Sequence, residues 1–328
     1  MAQLLKLTIP AHLSGLMIKE ILFDHYQFSR KSLSKIKLAG GIYLNNQPVY
    51  VTVRVTAGDI LQIDAPNETS EEILPQNLPI DIYYEDPDIV IINKQSGLVV
   101  HPTRNHYLGT IANGLIYHWQ SQGKEYRFRP VHRLDKDTSG LFVVAKNQYS
   151  HHKLALQIQE NVLKRSYLAV AQGRIVEDEG KITAPILKDE NHAVKRIVYV
   201  NQEEELSKHG DSIPVERSSN DTEKPAPQHA VTYFRVRKRF LNYTLVELQL
   251  ETGRTHQIRV HLSHIGHPLV GDTLYGGSKL NGLIERQALH AFRLRLRHPL
   301  TDKLLSFEAP LPHDMESFLY FLEKRDNT

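Results

Sequence analysis

Apolar and polar positions alternate along the chain in segments of different kinds. Between Leu13 and Asp64, Ile18, Ile21 and Leu22 recur at helical spacing after Gly15. Ser29 then offers an N-cap to a second helix whose apolar side holds Leu33 and Ile36 and which Gly40-Gly41 ends. Ile42-Tyr43-Leu44, a turn at Asn45-Asn46 and the β-branched run from Val49 to Val55 predict short strands. From Ala65 to Pro79 the chain is polar and proline-bearing, the composition of a linker. Beyond it, Ile89-Val90-Ile91-Ile92 is a continuous apolar run, the pattern of a strand buried on both faces. Further strands are predicted at Leu141 to Ala145, Tyr167 to Ala171, Val231 to Val236 and Leu245 to Leu250. Helical periodicity marks Ile111 to Trp119, His151 to Gln159, Thr255 to Ile265 and Met315 to Lys324. Strands dominate, with few helices between them, which predicts an α+β protein with a mainly antiparallel sheet. The expected organisation is a small module over 1–64, a linker over 65–79 and a larger domain over 80–328. Within the latter, 201–228 has little apolar content and no periodicity, and reads as a mobile insertion.

Composition narrows the function classes. None of the 328 residues is cysteine, which excludes disulfides, Cys-based metal sites and a thiol nucleophile. No window reaches the roughly 18 apolar residues of a spanning helix, and the start lacks a signal-peptide pattern, so a cytoplasmic protein with no membrane partner is expected. A formal charge of +3 is too small to point to nucleic acid by itself. Its distribution says more. Arg30, Lys31, Lys35 and Lys37 lie on the side of the second helix away from Leu33 and Ile36, with no acidic residue between Ser29 and Leu44. Such a stripe is ordinarily a solvated face, but an all-basic one also suits a phosphate backbone, where each neutralised phosphate releases counterions. The linker holds Glu68, Glu71 and Glu72 and no basic residue, and 201–228 holds seven acidic residues against three basic; setting both aside raises the charge from +3 to +10.

Chemistry is concentrated in two polar clusters. Walker A, GxGxxG, GxSxG and HExxH signatures are missing from the sequence, so no nucleotide cofactor is expected. In HRLDKDTSGLFVVAKN, His132 to Asn147, a turn-rich stretch feeds directly into a predicted core strand. Asp137, beside Thr138 and Ser139, suits a turn-capping role, which leaves Asp135 without a local task and held where a nucleophile or base must be held. In LETGRTHQIRVHLSHIGHPLVGDTLYGG, Leu250 to Gly277, Thr255 is the expected cap of a helix with Ile258, Leu262 and Ile265 as its stripe. His256, His261, His264 and His267 invite a metal reading, but no carboxylate accompanies them before Asp272, and contacts to phosphate, backbone or core are the expected alternative; no metal is assigned. Arg254 and Arg259, permanently charged forks, are better candidates for binding an anion.

These residues carry a resemblance. HRLDKDTSGL, KRSYLAVAQG and LETGRTHQIRVHL, in this order, resemble the RluA/RluD-type family of RNA pseudouridine synthases over nearly the whole chain, and the first module resembles an alpha-L RNA-binding domain. Gln95-Ser96, in place of Pro-Ala, and the long 201–228 stretch depart from the family pattern. The resemblance implies isomerisation of uridine in RNA without cofactor, most simply in large-subunit ribosomal RNA or pre-ribosomal particles; apart from the resemblance, a monomer is the default expectation. It implies Asp135 as the essential aspartate, Arg259 as its ion-pair partner and Tyr167 as the residue stacking on the flipped uracil. Arg133 is then a candidate to fill the gap left by the flipped base, with a structural ion pair as the alternative. His132 is expected to fix the loop by hydrogen bonds. A non-catalytic RNA-binding or ribosome-assembly protein on the same fold, and a metal-dependent nuclease, are the competing readings.

Overall fold

The structure, a computed structural model, describes residues 1–103, 106–199, 226–280 and 282–326. Most of the expected 201–228 insertion therefore lies outside the described residues. The first sheet joins β1 (Ala2–Thr8), β2 (Ile42–Leu44), β3 (Gln47–Pro48) and β4 (Ile60–Ala65) in the order β1-β4-β2-β3. A short helix, α1 (Ile18–Glu20), runs on into a π turn, and α2 (Arg30–Leu38) follows. Ser29 caps α2 as its sequence position predicts, accepting a hydrogen bond from Ser32 N at 3.1 Å. Ile18, Ile21, Leu33, Ile36, Leu61 and Ile63 close a core between these helices and the sheet.

Two local expectations fail here. Residues 2–8 form an unforeseen edge strand. Val49 to Val55 forms no strand, because its carbonyls are used elsewhere: Val51 and Val53 accept from the backbone N–H groups of Lys19 and Ile18, which the start of α1 would otherwise leave unpaired.

The second, ten-stranded sheet runs β10-β13-β14-β9-β15-β8-β6-β5. Its members are β5 (Ile82–Glu85), β6 (Ile89–Lys94), β8 (Ser139–Ala145), β9 (Lys164–Gln172), β10 (Glu179–Thr183), β13 (Val231–Arg239), β14 (Tyr243–Leu250) and β15 (Leu289–Arg297). The short strands β7 (Arg129–Pro130) and β16 (Leu304–Glu308) join at β8 and β15, and β11 (Ile186–Lys188) and β12 (Arg196–Val198) form a separate pair. Helices α3 (Ile111–Ser121), α4 (Gln148–Gln159), α5 (Gln257–His264) and α6 (His313–Asp326) pack around it. The fold is α+β, and among the described pairings of this sheet only β8 with β15 is parallel. The continuous run in β6 has a simple cause. Val90 and Ile92 enter one core with Trp119, Phe142 and Tyr167, while Ile89 and Ile91 enter another with Leu141 and Val143.

The segment 65–79 is pinned rather than free. Glu68 pairs with Lys35 and Arg129, Ser70 accepts from Phe128 N, and Ile73 is buried in the main core. Phe28 stacks on Tyr149 of α4 at 4.4 Å, a second tie between the two sheets' neighbourhoods.

Candidate active site

The loop 132–138 leads into β8 exactly where that strand meets β15 side by side, and it is clamped from three directions. Gly140 makes the close approach possible: its φ is +110°, and a Cβ there would stand 2.3 Å from the carbonyl oxygen of Ala291. Lys94, at the end of β6, donates its three ammonium protons to the carbonyls of Lys136 at 2.7 Å and of Gln95 and Leu98 at 2.9 Å each. Burial pushes the Lys94 ammonium down to about 7, against the pull of Asp137 and Asp135. Arg286, anchored on Asp314, donates to the Asp137 carbonyl at 3.0 Å. Asp137 thus contributes its backbone, and the expected capping role of its side chain is not found: among the described residues no hydrogen bond reaches that carboxylate. Thr138 N instead donates to the Asp135 carbonyl at 3.2 Å.

Asp135 projects from this loop into a cavity of about 910 Å³. Its walls include Tyr167 from β9, Arg165 two residues earlier, and Arg254, His256 and Arg259 from the start of α5. The Asp135 carboxylate lies 3.4 Å from Arg259 Nη1. That arginine is chiefly held by a residue the motif did not single out. Its Nε and Nη2 donate to the two oxygens of Asp272 at 2.6 and 2.8 Å, and its guanidinium lies 4.9 Å from the Tyr275 ring centre. The arrangement divides the guanidinium: one edge is fixed by a buried carboxylate, and the remaining nitrogen faces Asp135.

His256 completes this side. It, and not the expected Thr255, stands at the N-cap of α5, in a left-handed conformation with φ +58° that few non-glycine residues adopt. The turn is fixed by Gln257, whose side chain accepts from Thr252 Oγ1 and Arg254 N and donates to the Val231 carbonyl and Thr232 Oγ1. Tyr275 Oη accepts from Arg196 N at 2.9 Å and is hydrogen-bonded to His256 Nδ1 at 2.7 Å. The other imidazole nitrogen, Nε2, faces Asp135 at 3.9 Å. Burial lowers the His256 pKa, with Asp135 opposing, so the ring is neutral near pH 7.

Tyr167 is 4% exposed, and burial raises its phenol pKa, with Arg165 opposing and Asp135 reinforcing the shift. It faces the cavity as a neutral phenol. Arg133 is exposed at the rim, and no ion pair reaches it among the described residues, contrary to its structural alternative. His132 corrects an expectation. It is buried, yet neither ring nitrogen has a hydrogen-bond partner, so it does not fix the loop in that way. Arg254 lies exposed at the mouth, its Nε donating to the His229 carbonyl. Arg30, Lys31 and Lys37 are exposed on α2, remote in sequence from this cavity, whereas Lys35 is engaged by Glu68.

The histidines do not gather around a metal. Both nitrogens of His261 are occupied, by Thr232 Oγ1 and the Ala184 carbonyl, in the core. Among the described residues the one cluster with metal-ligand spacing is Asp86, Asp88 and His298, away from the cavity. There His298 Nδ1 accepts from Leu300 N and Thr301 N, which places its proton on Nε2, toward Asp86 at 3.0 Å. That nitrogen is a donor, not a free ligand. Sequence reasoning missed Lys94, Asp272, Tyr275 and Arg286. A lysine two residues beyond the apolar run Ile89 to Ile92, at the end of the same strand, is a signal for the first; the others carry none, since their partners are set by tertiary contacts.

Comparison with known proteins shows what the chain is similar to. Residues 88–264 match the family model described as RNA pseudouridylate synthase. The chain is 42% identical over 293 residues to an uncharacterized RNA pseudouridine synthase, YjbO, of Bacillus subtilis, covering 89% of this chain and 94% of that protein. It is 37% identical over 328 residues to ribosomal large subunit pseudouridine synthase D of Neisseria meningitidis, covering 96% of this chain and 81% of that one. Among solved structures, human RNA pseudouridylate synthase domain containing 4 superposes with a TM-score of 0.57 at 25% identity, over 74% of this chain and 93% of its own.

Proposed function

Because the chain belongs to the RNA pseudouridine synthase family, isomerases acting on uridine in RNA, we propose that it converts specific uridines of large-subunit ribosomal RNA and that Asp135 is its catalytic carboxylate. The observation that carries the reading is the Asp135 carboxylate, ion-paired at 3.4 Å to an arginine that is itself locked by Asp272, inside a cavity walled by Tyr167. The ribosomal substrate is taken from the relatives named ribosomal large subunit pseudouridine synthase D.

The chemistry is balanced without a cofactor. The C1′–N1 bond breaks, the uracil turns, a C1′–C5 bond forms, C5 loses its proton and N1 gains one. Asp135 serves either as nucleophile at C1′ or as base toward the sugar, with the Arg259 guanidinium 3.4 Å away. Tyr167, a neutral phenol in the cavity wall, offers its ring to the base. The uridine has to leave its stack, at a cost of a few kcal/mol that contacts along the RNA offset. The 910 Å³ cavity is at the upper end of ordinary ligand pockets, roughly 300–1,000 Å³, and so has room for an extruded nucleotide. Arg133 at the rim suits the gap left behind, and the exposed Arg30, Lys31 and Lys37 suit a phosphate backbone outside the cavity. We assign the first module, 1–64, an RNA-holding role.

The test is to map pseudouridines in ribosomal RNA from cells lacking the protein, and then to restore the gene as wild type or as Asp135→Asn. The wild type should restore the missing sites and the variant should not, while it still retains RNA on a filter. Full restoration by Asp135→Asn would remove the catalytic assignment and leave a non-catalytic RNA-binding protein.

A further inference from the structure

One buried cation of the cavity wall has no counterpart among the described residues. Arg129, Arg259 and Arg286 are each held by a carboxylate, from Glu68, Asp272 and Asp314 respectively. Arg165 is 6% exposed and lines the same cavity as Asp135, yet among the described residues no hydrogen bond or ion pair reaches its guanidinium. Its Nε is wholly buried without an acceptor, and so are both ring nitrogens of His132 in the same wall. A buried charge without a partner opposes folding, and a fold that keeps one leaves it available to a ligand. The guanidinium points outward: a Cβ on the exposed Gly253 would stand 2.8 Å from Arg165 Nη1, so the charged end reaches the rim where Gly253 has no side chain to cover it. Arg133 and Arg254 flank that rim.

We propose that Arg165, with His132 beside it, seats a phosphodiester of the substrate RNA adjacent to the flipped uridine. This rests on the function proposed above. An RNA substrate carries its negative charge only on phosphodiesters, and the guanidinium fork matches two non-bridging oxygens. The spacing fits as well. Arg165 and Tyr167 lie two residues apart on one face of β9, roughly 7 Å along the strand, about the reach from a nucleotide's phosphate to its base. One strand would thus hold the phosphate with Arg165 and the uracil with Tyr167, and fix the sugar between them against Asp135. His132 packs beside Arg165 with both ring nitrogens buried; burial and the neighbouring Arg165 hold its pKa well below the usual histidine range, so it adds no second charge to this wall.

The test uses short RNAs carrying the uridine mapped as above, with a single uncharged methylphosphonate linkage placed in turn at each flanking position. For the wild type, one position should cost roughly 10- to 100-fold in kcat/KM. Arg165→Met should lose a similar factor on natural RNA and then be indifferent, within about twofold, to the methylphosphonate at that position. A purely structural role predicts something else. Here Arg165→Met should unfold at the same or a higher urea concentration than wild type, because it removes an unpaired buried charge. Should that variant not fold, Arg165→Lys keeps the charge without the fork, and is expected to retain sensitivity to the linkage with weaker binding. The proposal is overturned if the wild type is indifferent to methylphosphonate at both flanking linkages, or if Arg165→Met still discriminates as the wild type does. Absence of isomerisation by the wild type on every RNA is a different result, and refutes the activity on which the proposal rests.

Discussion

Replacing Asp272 by Asn tests the idea that Arg259 is positioned by one carboxylate for use by another. The Asp272 side chain is 1% exposed and that of Arg259 9%, and they share two hydrogen bonds of 2.6 and 2.8 Å. Removing one charge of a buried pair costs about 3–5 kcal/mol, because the other is left uncompensated. Asparagine keeps one acceptor for the guanidinium and Asp135 still faces it at 3.4 Å, so at most the lower end applies: about 3 kcal/mol, which is a rise of roughly 100-fold in the unfolding constant. Urea unfolding of wild type, Asp272→Asn, Arg259→Met and the double variant measures it. Each single variant should lose stability, and the double variant should lose clearly less than the two losses added, since neither charge is then orphaned. Turnover should fall in Asp272→Asn although its Asp135 and Arg259 are intact, because nothing then holds the guanidinium edge-on to Asp135. Additive losses, or wild-type turnover in Asp272→Asn, would refute the division of the guanidinium between a structural and a functional edge.

Other expectations follow from particular contacts. Gly140→Ala should destabilise the protein by more than the roughly 1 kcal/mol typical of a glycine change, since the added Cβ meets the Ala291 carbonyl at 2.3 Å and φ is +110°; a wild-type melting temperature would contradict the parallel β8–β15 approach. The His298–Asp86 pair should make stability depend on pH in a defined sense. The carboxylate raises the His298 pKa above 6.5, so its contribution is complete below pH 6.5 and disappears as pH rises through the folded value. Asp86, though burial opposes it, is lowered to about 2 by bonds from His298, Tyr84 and backbone, so its contribution is present above about pH 4 and lost as pH falls toward 2. From pH 5 to pH 8 the wild type should therefore lose more stability to urea than His298→Gln, and equal losses would show that the pair does not titrate with folding. Reversing charge at Lys31 and Lys37 together should weaken RNA retention and flatten its salt dependence by a slope of roughly 2–4, since each site changes from cation to anion; an unchanged slope would place the RNA elsewhere.

Local physics was legible in the sequence alone. The cap at Ser29, the helical stripe of Leu33 and Ile36, and the doubly buried strand Ile89 to Ile92 depend on neighbours within a few residues, and those neighbours are written in order. The candidate chemistry was legible as motifs, through Asp135, Tyr167 and Arg259. Their relation to one another was not, because 124 residues separate Asp135 from Arg259 and only the sheet brings them within 3.4 Å. The same reason explains the errors. Val49 to Val55 has the composition of a strand, but its carbonyls are claimed by the amides of a helix folded back from residue 18. Thr255 has the chemistry of a cap, but Gln257 accepts from Arg254 N and ties the turn to Val231 across the chain, and His256 takes the position with its ring turned toward Asp135. His132, a polar residue in a polar motif, is buried without a partner, which no local pattern can announce. The sequence by itself determined which side chains could do chemistry and which segments could be strands or helices. The tertiary structure decided which charges are paired, which are left facing the cavity, and so where an RNA substrate has reason to bind, because pairing energies depend on distance and burial rather than on order along the chain.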